Sequence, residues 1–351
     1  MFFSYITQGG VKLKKIRLTA IQMQSNQFGW AGIQYSNDDR QAIVYTKNSG
    51  QNWIVVNPLN ASILSIYPVD INSAWVYGLT KKANNELVPT LFYTNNKGDT
   101  WNEILIPVTA DWEKTVEVTI NLHTDNTNSI WVIISRQITS NTFEHNFYAT
   151  QNRGQSWTTS KKINLSSPII GITFINPSIG FISTQKNYKN STIYKTLDGG
   201  ATWNPVSNIH YPNFVNQGLI TSYKPIYKGN ILIIPTKIVS NLNSYYLNIS
   251  YDKGNNWLMP NKILNTGKAA ISFFNSNYGW VVDSDNGGTY KIGAQGQNWI
   301  KVSNSSILID VFCLRFFNSS NGWACNHTQI FKTTNGGDSW ISVPYVIEGI
   351  S

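Results

Sequence analysis

Side chains able to do acid, base or ligand chemistry are few in this chain of 351 residues: 18 Asp and Glu together, and 4 His. A glycosidase needs two carboxylates facing each other across a cleft, at a separation that sets inversion or retention. Carboxylates that fall in loops are Asp38, Asp39, Glu86, Asp111, Glu113, Glu144, Asp283 and Asp285. For each, the plainer reading is a solvated loop residue. The histidines, His123, His145, His210 and His327, show no metal-ligand spacing, and neither a phosphate-binding glycine loop nor a nucleophile elbow is present. No catalytic residue, metal or cofactor is therefore assigned. Cys313 and Cys325 flank the turn Asn318 to Asn321 on neighbouring segments of strand length. A cross-strand disulfide is geometrically open to them; two small buried hydrophobes is the favoured alternative.

What would position any such residues is a repeat. An octapeptide recurs as Thr46 to Trp53, Thr94 to Trp101, Thr150 to Trp157, Thr196 to Trp203, Ser250 to Trp257 and Thr333 to Trp340. Each begins with a hydroxyl residue. An amide or acid follows at its third position (Asn48, Asn96, Asn152, Asp198, Asp252, Asn335), then Gly at the fifth and Trp at the eighth. A worn copy, Ile292 to Trp299, keeps Gly296 and the Trp. The acid or amide can accept backbone N–H groups a couple of residues on, and the Gly allows a positive φ, so the octapeptide reads as a tight turn between strands. The hydroxyl residue is expected to close the preceding strand, favoured there for β-branching. The Trp opens the next.

A second landmark precedes each turn: Gly29-Trp30, Ala74-Trp75, Ile130-Trp131, Gly180-Phe181, Asn230-Ile231, Gly279-Trp280 and Gly322-Trp323. Short apolar runs lie between landmark and turn. The Trp spacings of 48, 56, 46, 54, 42 and 41 residues match propeller blades with loop insertions better than a strict solenoid. The expected fold is all-β, a seven-bladed β-propeller of four-stranded antiparallel blades. Residues 1–15 form an N-terminal segment able to add an outer strand, and 16–351 form the single propeller domain.

Composition agrees. Aromatics make up 13% of the chain, and charged residues 13%, about half the usual share. The net charge of +9 is carried by dispersed Lys with only five Arg, which favours solubility and edge protection over a nucleic-acid footprint. No run of 18 apolar residues exists, so no membrane-spanning helix is expected. The first fifteen residues make a poor secretory signal, because their basic residues follow a short apolar stretch. The expectation is nonetheless an extracellular or cell-envelope protein, bacterial and monomeric, with the cytoplasm as the alternative.

The pattern Ser/Thr-x-Asp/Asn-x-Gly-x-Thr/Ser/Asn-Trp resembles the Asp-box, or bacterial neuraminidase repeat. Its pairing with Gly-Trp is similar to propellers of the photosystem II assembly factor type. The resemblance runs from about residue 16 to 345. It implies a propeller with Asp-box turns between the third and fourth strands of each blade. It leaves activity open, since sialidases, xyloglucan-cleaving enzymes, sortilin-type receptors and non-enzymatic assembly factors all carry the motif. The sialidase signature is missing: Arg17 is followed by Leu18-Thr19 instead of Ile-Pro, and no Tyr-Glu pair corresponds.

Propeller geometry places the octapeptide turns on the face away from the longer loops, and binding residues favour long loops on a rigid scaffold. The long segments, 80–89, 108–115, 137–146, 185–191, 210–218 and 237–244, bring together Lys81, Lys82, Trp112, His145, Lys186, Tyr188, Lys189, His210 and Tyr211. Such a mixture of cations and aromatics suits a protein or a cell-surface glycan. The expected function is a non-catalytic binding or assembly scaffold. The alternative is a glycoside hydrolase or carbohydrate-binding protein with a carboxylate site in its central channel.

Overall fold

Each repeat folds into an antiparallel meander because its turns satisfy their own backbone. The computed structural model describes residues 16–35, 41–56, 61–81, 87–108, 117–124, 128–140, 142–158, 161–187, 192–207, 209, 219–239, 243–258, 262–293, 296 and 298–348. At the fourth octapeptide, Thr196 Oγ1 donates to Asp198 Oδ1 at 2.7 Å and accepts the Gly200 N–H at 2.9 Å. Asp198 in turn accepts the Thr202 N–H at 2.9 Å and the Thr202 hydroxyl at 2.6 Å. The same pattern joins Thr46, Asn48, Gly50 and Asn52, and Thr333, Asn335, Gly337 and Ser339.

Two expectations are corrected here. The leading hydroxyl is the hub of the turn, where β-branching alone had been invoked, which is why Ser250 serves as well as Thr. The acid or amide reaches four residues ahead, where about two had been expected. Gly200 has φ +95°, and a Cβ there would sit 2.4 Å from the Phe147 ring of the preceding sheet, so the position needs glycine twice over.

The first sheet pairs Ile16–Met23, Gly29–Tyr35, Gln41–Thr46 and Asn52–Val55 in chain order. Four-stranded sheets follow that run from Ala61–Pro68 to Asn102–Leu105, and from Glu117–Thr124 to Lys161–Ile163. Next comes a nine-stranded sheet in which two antiparallel groups share the long strand Gly180–Asn187. Its start pairs with Ile169–Phe174 and Ile193–Thr196, and its end, Gln185–Asn187, pairs with Leu219–Thr221. Two more four-stranded sheets run from Ala269–Phe273 to Asn298–Asn304 and from Cys313–Phe316 to Ile341–Val343. Every sequence landmark opens a second strand, at Gly29, Ala74, Ile130, Gly180, Ile231, Gly279 and Gly322. Those strands begin with runs of fully buried residues because sheets cover both of their faces.

The core is divided into clusters between consecutive sheets. Trp280 stacks on Phe316 of the next sheet at 3.8 Å, and Trp131 on Phe174 at 4.7 Å. Each such buried aromatic contributes on the order of 2–3 kcal/mol of apolar transfer. One cluster joins Ile16, Leu18 and Trp53 of the first sheet to Trp323, Cys325 and Ile330 of the last. The seam is also hydrogen-bonded. Leu18 N donates to His327 O at 2.8 Å, and Arg17 Nη2 donates to His327 Nε2 at 2.7 Å. Beyond the last sheet, Val346–Glu348 pairs in parallel with the outer strand Asn52–Val55 of the first. Residues 1–15, expected to be able to add an outer strand, lie outside the described residues. Cys313 and Cys325 sit directly opposite each other, Cα atoms 5.4 Å apart, and are joined as a disulfide in place of the favoured pair of free thiols.

Candidate functional site

One strand from each group faces a common central cavity of about 780 Å³. The cross-strand register explains how. Gln22, Tyr67, His123, Thr173, Tyr227, Ser272 and Arg315 are each paired with the second residue of a second strand: Trp30, Trp75, Trp131, Phe181, Leu232, Trp280 and Trp323 respectively. All seven line the cavity. The landmark anchors one strand in the core, and its first-strand partner presents the side chain that meets the cavity.

The cavity is cationic. Lys224, Lys228 and Arg315 line it, and no Asp or Glu is found among its described lining residues. Lys224 Nζ donates to Leu122 O at 2.9 Å and lies 5.3 Å from the centroid of the Tyr67 ring. Its residue is exposed where it lines the cavity, and desolvation by the surrounding protein pulls its ammonium down to about 8. Lys228 is also lowered, first by burial and then by the Arg315 guanidinium. Burial, followed by the charge of Lys224, brings His123 down to about 3, so it is a neutral ring at physiological pH. The Nε atom of Arg315 is sealed from solvent without a hydrogen-bond partner among the described residues. Cys313 of the disulfide also borders the cavity.

Most of the residues expected to bind fall where nothing is described. Lys82, Trp112, Tyr188, Lys189, His210 and Tyr211 lie outside the described residues, and so does the side chain of Lys186. Lys81 ends the strand Ala74–Lys81 and is exposed. His145 is a correction: it is fully buried, bonded to Ser135 Oγ at 2.8 Å and to Ser167 O at 3.1 Å. The reason is that segment 137–146 is mostly ladder. Strands Ile130–Thr139 and Thr142–Thr150 pair to their tips, and the hairpin turns His145 inward. Its burial lowers it to about 4, so it is neutral as well.

Of the carboxylates expected in loops, Glu144 and Asp283 instead lie in the strands Thr142–Thr150 and Gly279–Asp283, and those described are held by their surroundings. Glu144 pairs with Arg136. Asp283 accepts the N–H groups of Asp285 and Asn286, and Asp285 accepts the Gly267 N–H at 2.5 Å. Asp38, Asp39, Glu86, Asp111 and Glu113 lie outside the described residues. No group of three or more potential metal ligands occurs among the described residues. No described helix is long and apolar enough to cross a membrane.

The family model described as "Sortilin, neurotensin receptor 3" matches residues 41–167, a little over a third of the chain. No curated protein matches the chain by sequence. Among solved structures, YCF48 bound to D1 peptide aligns with a TM-score of 0.57 at 12% identity over 91% of each chain. A GH74 xyloglucanase from Xanthomonas campestris aligns at 0.60 with 11% identity, over 95% of this chain and 56% of that one. An uncharacterised protein from Listeria monocytogenes aligns at 0.53 with 9% identity, over 95% and 96%. At these identities the likeness is one of fold: the chain is a β-propeller built of antiparallel, mostly four-stranded sheets.

Proposed function

We propose that this chain is a non-catalytic binding propeller of seven blades with Asp-box turns, whose partner is a protein. The observation that carries the reading is the cavity lining. Where a glycosidase would hold two carboxylates, the described lining offers cations, tyrosine rings, amides and hydroxyls. The inter-sheet clusters, the seam from Leu18 to His327 and the seven turn copies support one closed domain over residues 16–351. The similar fold of YCF48, which is bound to a peptide in its structure, supports a protein partner over a glycan. The disulfide fits a protein exported to an oxidising compartment.

Lys81 and the long segments whose side chains fall outside the described residues are the proposed docking face, with Lys82, Trp112, Tyr188 and Tyr211 its leading contacts. Two experiments test this reading. Cross-linking from residue 81 to the native partner should report a discrete protein. Incubation with xyloglucan and aryl glycosides should give no turnover. Turnover that disappears on replacing a single carboxylate would establish the hydrolase instead.

A further inference from the structure

The central cavity carries charge that the described chain does not balance. Arg136, likewise buried, has its charge balanced by Glu144. Lys228 and Arg315 make no ion pair with any described residue, although both line the cavity and both are desolvated. Gathering Lys224, Lys228 and Arg315 around one cavity is unfavourable for folding, because desolvation penalises all three and Arg315 repels Lys228. A buried Arg315 Nε with no partner among the described residues adds to that penalty. Such an arrangement is compensated when an anion enters.

We propose that the cavity is a carboxylate-binding site, with Arg315 and Lys228 taking one carboxylate and Lys224 a second, and that its ligand is an acidic peptide segment. The planar fork of Arg315 suits a carboxylate, and the neighbouring Lys228 adds a point charge beside it. Lys224, fixed by the Leu122 carbonyl and the Tyr67 ring, marks a separate anchoring point beside His123. Spaced anchors call for a ligand with more than one carboxylate. At about 780 Å³ the cavity lies within the ~300–1,000 Å³ range of organic-ligand sites, and Tyr67, Tyr223 and Tyr227 give an organic body surfaces to pack on. Inorganic phosphate would leave those walls uncovered. The choice of a peptide over a free organic acid rests on the protein-binding function proposed above, whereas the carboxylate chemistry does not.

The test is calorimetric titration of the full chain at low salt with three probes: a hexaglutamate peptide, citrate and inorganic phosphate. Hexaglutamate is expected to bind, and to weaken at least about tenfold between about 0.05 and 0.5 M NaCl. Arg315→Met and Lys228→Met should each weaken it by a further factor of about ten or more, while Lys47→Met, in an exposed turn, leaves it unchanged. Should these variants fail to fold, the wild-type protein carries the test alone: hexaglutamate must slow acetylation of Lys224 and Lys228 several-fold relative to Lys47. Citrate binding with hexaglutamate excluded would keep the carboxylate site and overturn the peptide. Phosphate binding as tightly as either, or no probe binding at all, would overturn the site. All probes are defined ligands, so failure here leaves the cross-linking test of the protein partner standing, and failure there leaves these titrations standing.

Discussion

The octapeptide turns and the central cavity obey opposite rules. In the turn at Asp198 the hydroxyl, the carboxylate and the glycine N–H satisfy one another within seven residues, and the same closure recurs at Asn48, Asn96, Asn152, Asp252 and Asn335. In the cavity, Lys228 makes no ion pair and the Arg315 Nε no hydrogen bond with any described residue. The turns tie strands together locally, and aromatic packing between sheets carries that order round to the seam. The cavity withdraws some of this stability, as sites built for ligands do. Hydroxyl, amide and carboxylate pairing thus marks the turns, whereas cations without an opposite charge mark the cavity.

The largest effect expected from breaking this contrast is in a turn. Gly200→Ala adds a Cβ against Phe147 at a φ of +95°, and a loss of about 3 kcal/mol is expected from combined strain and overpacking, read by urea denaturation. Thr196→Val keeps the β-branched shape and deletes the hub. It leaves the buried Gly200 N–H without an acceptor, for a loss of about 2 kcal/mol.

A cavity substitution should move stability the other way. Lys224→Met is expected to stabilise the empty protein by about 1 kcal/mol, a figure discounted for screening because Lys224 is exposed. The folded pKa of Lys224 lies below its unfolded value, so the unfolded chain holds more protons between about 8 and 10.5. Wild-type stability therefore gains from this group as pH rises through that window, and Lys224→Met should flatten the gain in pH-dependent denaturation.

The smallest effect is Asp198→Asn, which copies the four turns that already carry Asn and should change stability at neutral pH by less than about 0.5 kcal/mol. Bonds from Thr202 and then Thr196 bring Asp198 down to about 2. Burial opposes the same shift in Asp252, but bonds led by those from Asn256 take it down to about 2 as well. These contributions are present above the unfolded carboxylate pKa and are lost as pH falls through about 2. The Asn variant should show a correspondingly weaker acid dependence in a thermal melt at pH 2 to 4.

The sequence makes the perimeter of this molecule legible and hides its centre. Octapeptide and landmark both announce themselves, because a turn needs fixed residue types at fixed offsets and a buried second strand needs a large apolar anchor. The seven cavity positions range from Gln22 and Ser272 to Tyr67 and Arg315. They share no residue type, only a place opposite the landmark in the ladder. Register was the signal that could have found them: pairing each landmark with the first strand would have brought Arg315 opposite Trp323 and His123 opposite Trp131. Lys224 escapes even that rule, since it lies just outside the strand Ile226–Lys228. His145 was misplaced because 137–146 looked like a loop by its polar composition, whereas cross-strand pairing continues to Thr139 and Thr142.

The most direct test is equilibrium urea denaturation of the ligand-free double variant Lys228→Met and Arg315→Met beside the wild type. Charges held for a ligand should not be missed by the empty fold, so the variant is predicted to be as stable as the wild type or more so. A loss of more than about 1 kcal/mol would contradict this. It would mean that the cations of the cavity are structural members of the propeller.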